Sequence, residues 1–307
     1  MPERQHDIVM IGGGTAGVSA ALECADIRLD VVLLEATAAL GGQLAEISHP
    51  VRNVASGPFA DGSQLATSLQ GAAELLGDRL LLSHRVSSAG LAEGWIEAEG
   101  TRFRSKAVLI ASGTVPQRLV AAADGAHGGD VTYHVELDPE RFRGRPVVVV
   151  GGGDSATLDA LALAPIASSV MLVHRSERLT ARHDIVAELR NEPRIVDLPG
   201  WEVESVNGDE RLEEVALVHS ATGEHRTVPA GGLVVKISRD PNTEVFRGQI
   251  DLDRRGFVVV DGELATSCPG VFAAGDVVSG AYWRVSNAIG HGSLVSRSIL
   301  RYLQDRA

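Results

Sequence analysis

Two stretches decide the reading of this chain: Ile8-Val9-Met10-Ile11-Gly12-Gly13-Gly14-Thr15-Ala16-Gly17 and Val147-Val148-Val149-Val150-Gly151-Gly152-Gly153-Asp154-Ser155-Ala156. Each opens with a four-residue apolar run that reads as a strand. Each continues into a glycine turn and then small residues that suit the start of a helix. Both fit the fingerprint G-x-G-x-x-G/A in its strand–turn–helix context, in which glycines let the backbone approach a pyrophosphate. One copy is a weak signal. Two copies, 139 positions apart, predict two nucleotide sites.

The residues downstream separate the sites. The strand Val31-Val32-Leu33-Leu34 ends in Glu35, 23 positions after Gly12. A carboxylate there bonds ribose hydroxyls and repels a 2′-phosphate, so the first site reads as FAD or NAD. The strand Val170-Met171-Leu172-Val173 ends in His174-Arg175, 23 positions after Gly151. A cationic strand end favours a 2′-phosphate, so the second site reads as NADPH.

Composition narrows the function. With 307 residues and 44% hydrophobic content, one large or two medium domains with real cores are expected. A net charge of −12 argues against a nucleic-acid partner, which needs clustered cation, and against docking on an anionic membrane. Lysine occurs only at 106 and 236, the remaining basic side chains being arginine. The only cysteines are Cys24 and Cys268; each reads as a small buried hydrophobe, and no C-x-x-C is present for a metal or redox dithiol. The polar start and the broken apolar run at 161–173 predict neither a signal peptide nor a span, and a cytoplasmic setting is expected.

Along the chain, helices are expected over about 16–26, 64–76, 155–163, 182–190 and 288–303. Strands are expected near 107–110, 215–219, 233–237, 257–260 and 271–274. The piece after Asp240-Pro241-Asn242 is too small to fold alone. Its natural home is the first unit, which makes residues 117–243 an insertion and 1–116 with 244–307 a discontinuous domain. The fold class is α/β, with two Rossmann-like dinucleotide-binding domains.

The chain resembles the low-molecular-weight thioredoxin reductases, flavoproteins with two dinucleotide-binding domains. The resemblance rests on Gly12 to Gly17, Glu35, Gly41-Gly42-Gln43-Leu44, Asn53, Ala111-Ser112-Gly113, Gly151 to Ala156, His174-Arg175, Asp240-Pro241-Asn242-Thr243 and Thr266 to Val277. It implies FAD in the discontinuous domain and NADPH or NADH in the insertion. For FAD it points to Gly12, Gly14, Gly17, Glu35, Gly42, Gln43, Asn53, Ala111, Gly113, Gly275, Asp276, Arg284 and Val285. For NAD(P)H it points to Gly151, Gly153, Asp154, Ser155, His174, Arg175 and Arg178. It also implies a homodimer.

Departures from the family pattern shape the expected activity. Counting back from Gly151, the C-x-x-C pair of thioredoxin reductases falls on His134 and Leu137. The segment before Gly151 resembles the cysteine-free ferredoxin–NADP reductases, so a ferredoxin-like protein joins small molecules among the possible acceptors. The second arginine of the usual His-Arg-Arg run is Ser176. The expected activity is electron transfer between NAD(P)H and a non-disulfide acceptor through FAD. The alternative is a flavin oxidase or dehydrogenase acting on a small-molecule substrate with oxygen as acceptor. Candidate proton-handling residues are His134, Glu136, His291 and His49, since imidazole titrates near neutrality.

Overall fold

In a computed structural model, the first apolar run forms the end of a nine-residue strand, Glu3–Ile11 (β1). The structure is described for residues 2–122, 129–135 and 138–306. After β1 come the helix Thr15–Asp26 (α1) and the strand Val31–Leu34 (β2), all four of whose residues are buried. The alternation of a strand explains the apolar runs. Ile8 and Met10 enter one core with Val31 and Leu33, while Val9 and Ile11 enter another with Val32 and Leu34. A strand buried on both faces has no polar side to show, and each fully buried aliphatic side chain contributes about 1.5–3 kcal/mol.

The chain divides into two compact units, Met1–Val115 with Asp240–Ala307, and Pro116–Arg239. In the first unit the parallel strands run in the order Leu80–Leu81, β2, β1, Thr101–Ile110 and Val271–Ala273. The ten-residue strand 101–110 changes partner along its length. Its first part pairs antiparallel with Trp95–Ala98, and its last part pairs parallel with Val271–Ala273. One face of this sheet is covered by α1 and by the C-terminal helix Val285–Gln304 through Val295 and Ile299. The two helices meet closely at Gly292: a Cβ there would lie 2.6 Å from Ser19 Cβ and 2.8 Å from the Ala16 carbonyl oxygen.

The second unit repeats the plan. Its parallel strands run Ile195–Pro199, Ser169–His174, Pro146–Val150, Gly232–Val235 and Val131–Thr132. Val147 and Val149 pack with Ala156, Ala160 and Leu163 of the helix Asp154–Leu163. Val148 and Val150 pack on the opposite face, against Val215, Leu217 and Val228 of a three-stranded antiparallel sheet.

Three expectations are corrected. Residues 257–260 form no regular strand: Val258 makes only isolated bridges, to Leu252 and to Val278. The helix expected at 64–76 covers Gly62–Ala73 and gives way to a tighter 3-10 segment, Glu74–Arg79. The C-terminal helix starts at Val285, three residues before its expected beginning.

Candidate nucleotide-binding sites

Each turn is built by the same contacts. Gly12 has φ +107°, and a Cβ on it would sit 2.3 Å from the Ala111 carbonyl oxygen. Gly151 has φ +138°, and its Cβ would sit 2.2 Å from the Lys236 carbonyl oxygen. Only glycine satisfies both the left-handed backbone and the close approach. At Gly17 a Cβ would lie 2.0 Å from the Gly12 carbonyl oxygen, so this third glycine lets α1 close on the turn; Ala156 takes the corresponding place in the second unit and is fully buried. The repeat extends further than the fingerprint. Gly41 donates its N–H to Gly13 O (2.9 Å), and Thr180, 139 positions later, donates its N–H to Gly152 O (2.8 Å). Likewise Gly12 N–H reaches Leu34 O (2.8 Å) and Gly151 N–H reaches Val173 O (2.9 Å).

The middle of each turn is open. A Cβ on Gly14 would meet nothing within 4 Å, and one on Gly153 would meet only Thr180 Oγ1, at 3.9 Å. Both glycines cap helices, and no side chain supplies the cap bond. The first-turn N–H groups and the aligned peptide dipoles are thus left for an anion. This open, donor-lined space fits a dinucleotide pyrophosphate.

Around the first turn the structure brings together Glu35, Gly42, Gln43, Ala111, Gly113, Gly275 and Asp276, while Arg284 and Val285 make their contacts elsewhere and Asn53 is exposed. Glu35 is buried; its Oε2 accepts from Gly13 N–H (2.7 Å), and its Oε1 accepts from Thr37 N–H (2.8 Å) and Oγ1–H (2.7 Å). A carboxylate has about four acceptor positions, so capacity remains for a ribose hydroxyl. Gln43 Nε2 donates to Asp276 Oδ2 at 3.2 Å, across 233 positions of sequence. A Cβ on Gly42 would lie 3.6 Å from Gly14 Cα, and one on Gly113 3.5 Å from Gln43 Nε2. Gly275 stands against Ala16, its Cβ position 2.9 Å from the alanine methyl. Ala111 N–H bonds Ile11 O (2.8 Å) and holds the neighbouring strand end in register. Arg284 caps the C-terminal helix, its Nη1 donating to Trp283 O (3.0 Å) and its guanidinium lying 4.8 Å over the Tyr282 ring. Val285 packs on the small cluster of Leu44, Val51, Val54 and Leu65. Asn53 is exposed in the loop between Val51 and Val54.

The proton-handling candidates separate. His291 stands beside this site: its Nδ1 accepts from Gly275 N–H (3.2 Å), its Nε2 lies 3.4 Å from Asn287 Nδ2, and burial lowers its pKa from the ordinary histidine value. A ring nitrogen that accepts a backbone N–H is unprotonated, which makes His291 an orienting group for the Gly275 turn. His49 is exposed and its Nδ1 lies 3.3 Å from Pro50 O. His134 belongs to the second unit, where its backbone N–H donates to Thr132 Oγ1 (3.0 Å). Glu136 lies outside the described residues.

In the second unit the expectation for His174 is corrected. Rather than presenting surface charge, the side chain is buried, and its Nε2 bonds Asp197 Oδ1 at 2.8 Å. Strand pairing sets Asp197 opposite Leu172, two residues before His174. Arg175 and Arg178 are exposed, as is Ser155. Arg182 is engaged by Asp184 through Nε (3.1 Å) and Nη2 (2.7 Å), and the guanidinium lowers the Asp184 pKa to about 2. Asp154 Oδ1 accepts the Arg182 backbone N–H (2.9 Å), which ties the loop to the helix start. Nothing in the sequence points to Asp197 or Thr37, and Thr180 stands in it only where the last arginine of the family's NADPH run would be, not as the donor to the turn. Only the internal repeat carries a signal for that role, through its correspondence with Gly41.

A family profile described as pyridine nucleotide-disulphide oxidoreductase matches residues 6–292. The chain belongs to this family. It is 33% identical over 305 residues to a thioredoxin reductase of Streptomyces clavuligerus, covering 97% of this chain and 94% of the relative. It is 29% identical over 304 residues to the 34.2 kDa protein in the rubredoxin operon of Clostridium pasteurianum, covering 98% of each. The crystal structure of Lactococcus lactis thioredoxin reductase (FR conformation) superposes with a TM-score of 0.90 at 27% identity, covering 98% of this chain and 99% of that one. The thioredoxin reductase of T. acidophilum gives 0.88 at 27% identity, covering 99% and 100%. The fold is therefore that of thioredoxin reductases, with FAD/NAD(P)-type domains, and the chain is a thioredoxin reductase-like oxidoreductase. Among the described residues, no helix is long and apolar enough to cross a membrane, and no group of three or more His, Cys, Asp or Glu could hold a metal ion.

Proposed function

We propose that this protein is an FAD-dependent NAD(P)H oxidoreductase whose acceptor is not a disulfide. The cysteines carry this reading. Cys24 and Cys268 are the only two in the chain; both are buried and unbonded, and they belong to cores on opposite faces of the first unit's sheet. Burial pushes the Cys24 thiol up to about 11, far from the thiolate character an exchange reaction needs. The Streptomyces clavuligerus relative is named a thioredoxin reductase, but the resemblance puts the C-x-x-C pair of thioredoxin reductases, counted back from Gly151, at His134 and Leu137 of this chain.

When bound, the flavin supplies hydride acceptance and electron transfer. The protein's part is holding and orienting. The uncapped N–H groups after Gly14 receive the pyrophosphate, Glu35 a ribose, and the Gln43–Asp276 pair the polyol side. The Arg284-capped N-terminus of helix 285–304 offers a positive end, which stabilises negative charge on a nearby ring. His291 fixes the Gly275 turn. The turn 151–153 and the helix after it receive the nicotinamide dinucleotide. A small molecule or a ferredoxin-like protein is the proposed acceptor, and a homodimer the proposed assembly.

Anaerobic stopped-flow mixing of the flavin-loaded protein with NADH and NADPH tests the proposal. Bleaching of the flavin band by either, followed by reoxidation with an added acceptor, is expected. If neither bleaches it while a metabolite does, and admitting air then reoxidises the flavin with release of peroxide, the oxidase alternative replaces this reading.

A further inference from the structure

We propose that the His174–Asp197 pair makes the second site selective for a dinucleotide with a free ribose 2′-hydroxyl, NADH rather than NADPH. This rests on the proposal that turn 151–153 receives a nicotinamide dinucleotide.

The observation behind it is a buried atom with nothing to bond. The His174 side chain is only 3% exposed, and its Nδ1 has no hydrogen-bond partner. That nitrogen faces the glycine turn: a Cβ on Gly152 would stand 3.7 Å from it. In the first unit the same position holds Glu35, whose Oε2 faces Gly13 at 2.7 Å from its nitrogen. The repeat therefore sets His174 Nδ1 where Glu35 presents a carboxylate oxygen. Asp197 decides what Nδ1 can do. An ionised carboxylate only accepts, so Nε2 must carry the proton it donates at 2.8 Å. In the neutral ring Nδ1 is then a bare acceptor, as a carboxylate oxygen is. An acceptor suits a hydroxyl and opposes a phosphate oxygen.

The surrounding charge agrees. Arg175, Arg178 and Arg182 in the segment after His174 are outnumbered by four nearby carboxylates: Glu177 in the same segment, Asp154 and Asp184 at the starts of the helices on either side of it, and Asp197 in the paired strand. Arg182 is already gripped by Asp184 through two bonds. A 2′-phosphate brings nearly two further negative charges into a setting without net positive charge.

The experiment is equilibrium titration of the flavin-loaded protein with NAD⁺ and with NADP⁺, followed by calorimetry, together with kcat/KM for NADH and NADPH. Wild type is expected to bind NAD⁺ at least tenfold more tightly than NADP⁺. Asp197→Asn can donate its amide to Nε2, which moves the ring proton to Nδ1. Because Asp197 is 41% exposed, the fold should tolerate this change. The variant should weaken NAD⁺ about tenfold, equivalent to about 1.4 kcal/mol, and NADP⁺ less than threefold. Tighter binding of NADP⁺ by wild type overturns the inference, and so does equal weakening of both by Asp197→Asn, which would indicate a merely structural role. Selective NAD⁺ binding without flavin reduction by NADH would sink the electron-transfer proposal and support this one. Binding of neither nucleotide overturns both.

Discussion

Gly14→Ala should separate folding from cofactor binding. The backbone at Gly14 has φ −74° and ψ −179°, ordinary for any residue, and a methyl there meets nothing within 4 Å. Two small terms act on the apoprotein. Alanine is a poorer helix cap than glycine by roughly 0.7 kcal/mol, while the stiffer unfolded chain returns about 0.4–1 kcal/mol. They nearly cancel, so the apoprotein Tm should move by less than about 2 °C. The bound state should suffer far more, because the methyl fills the space proposed for the pyrophosphate. Losing one charge-assisted bond from the helix N-terminus costs about 1.5–3 kcal/mol, or roughly 10- to 100-fold in Kd. The assay is titration of apoprotein with FAD, read by quenching of flavin fluorescence, beside thermal melts of the apoprotein. Gly12→Ala is the contrast: at φ +107° and 2.3 Å from the Ala111 carbonyl oxygen, it should impair folding itself. An FAD affinity in Gly14→Ala within threefold of wild type would refute the assignment of this space, as would an apoprotein Tm lowered by more than about 5 °C.

Iodoacetamide at pH 8 should modify neither Cys24 nor Cys268 in the native protein and both after denaturation. The Cys24→Ala/Cys268→Ala variant should reduce its flavin with the preferred nicotinamide at a rate within about threefold of wild type, and a tenfold loss would restore a role for sulfur. His291 should give a pH signature. Its pKa is depressed in the fold, so its contribution is whole above the unfolded value of about 6.5 and is lost as pH falls toward the folded value. Between pH 6.5 and 5 the melting temperature of wild type should drop more than that of His291→Gln; parallel curves would contradict this. Gly292→Val should destabilise the first unit by about 3 kcal/mol, because its side chain would start 2.6 Å from Ser19 Cβ. Urea unfolding monitored by tryptophan fluorescence, with Trp201 replaced by Phe so that Trp95 and Trp283 of the first unit report, would measure it.

Much of the architecture was written in local pattern. The runs 8–11, 31–34, 147–150 and 170–173 are strands because their apolar residues are buried in the sheets, Met171 partly, and Gly12, Gly17 and Gly151 accompany them because those positions tolerate no Cβ. What stayed hidden depends on distant partners. His174 read as a cation because it adjoins Arg175; that it is buried against Asp197 follows from strand pairing 23 residues away. Phe257–Val260 has the composition of a strand, but the chain there is held by a turn, with Asp253 Oδ1 accepting from Arg255 N–H (2.8 Å) and Phe257 N–H (3.0 Å). Periodicity has no access to such local side-chain bonds. The Gln43–Asp276 contact spans 233 of the 307 positions, and only the family resemblance had grouped those two residues.

The interrupted first unit has a consequence for biogenesis. Its sheet gains Val271–Ala273, and its α1 face gains helix 285–304, only after residues 116–239 have left the ribosome. The inserted unit, contiguous in sequence, can condense during synthesis while residues 1–115 wait with one flank of α1 bare. Closure over such long sequence separation is slow, and the waiting apolar surface is prone to aggregate. Capture of the proposed flavin would then be a post-translational event, and chains stalled before residue 271 should be the ones that chaperones hold.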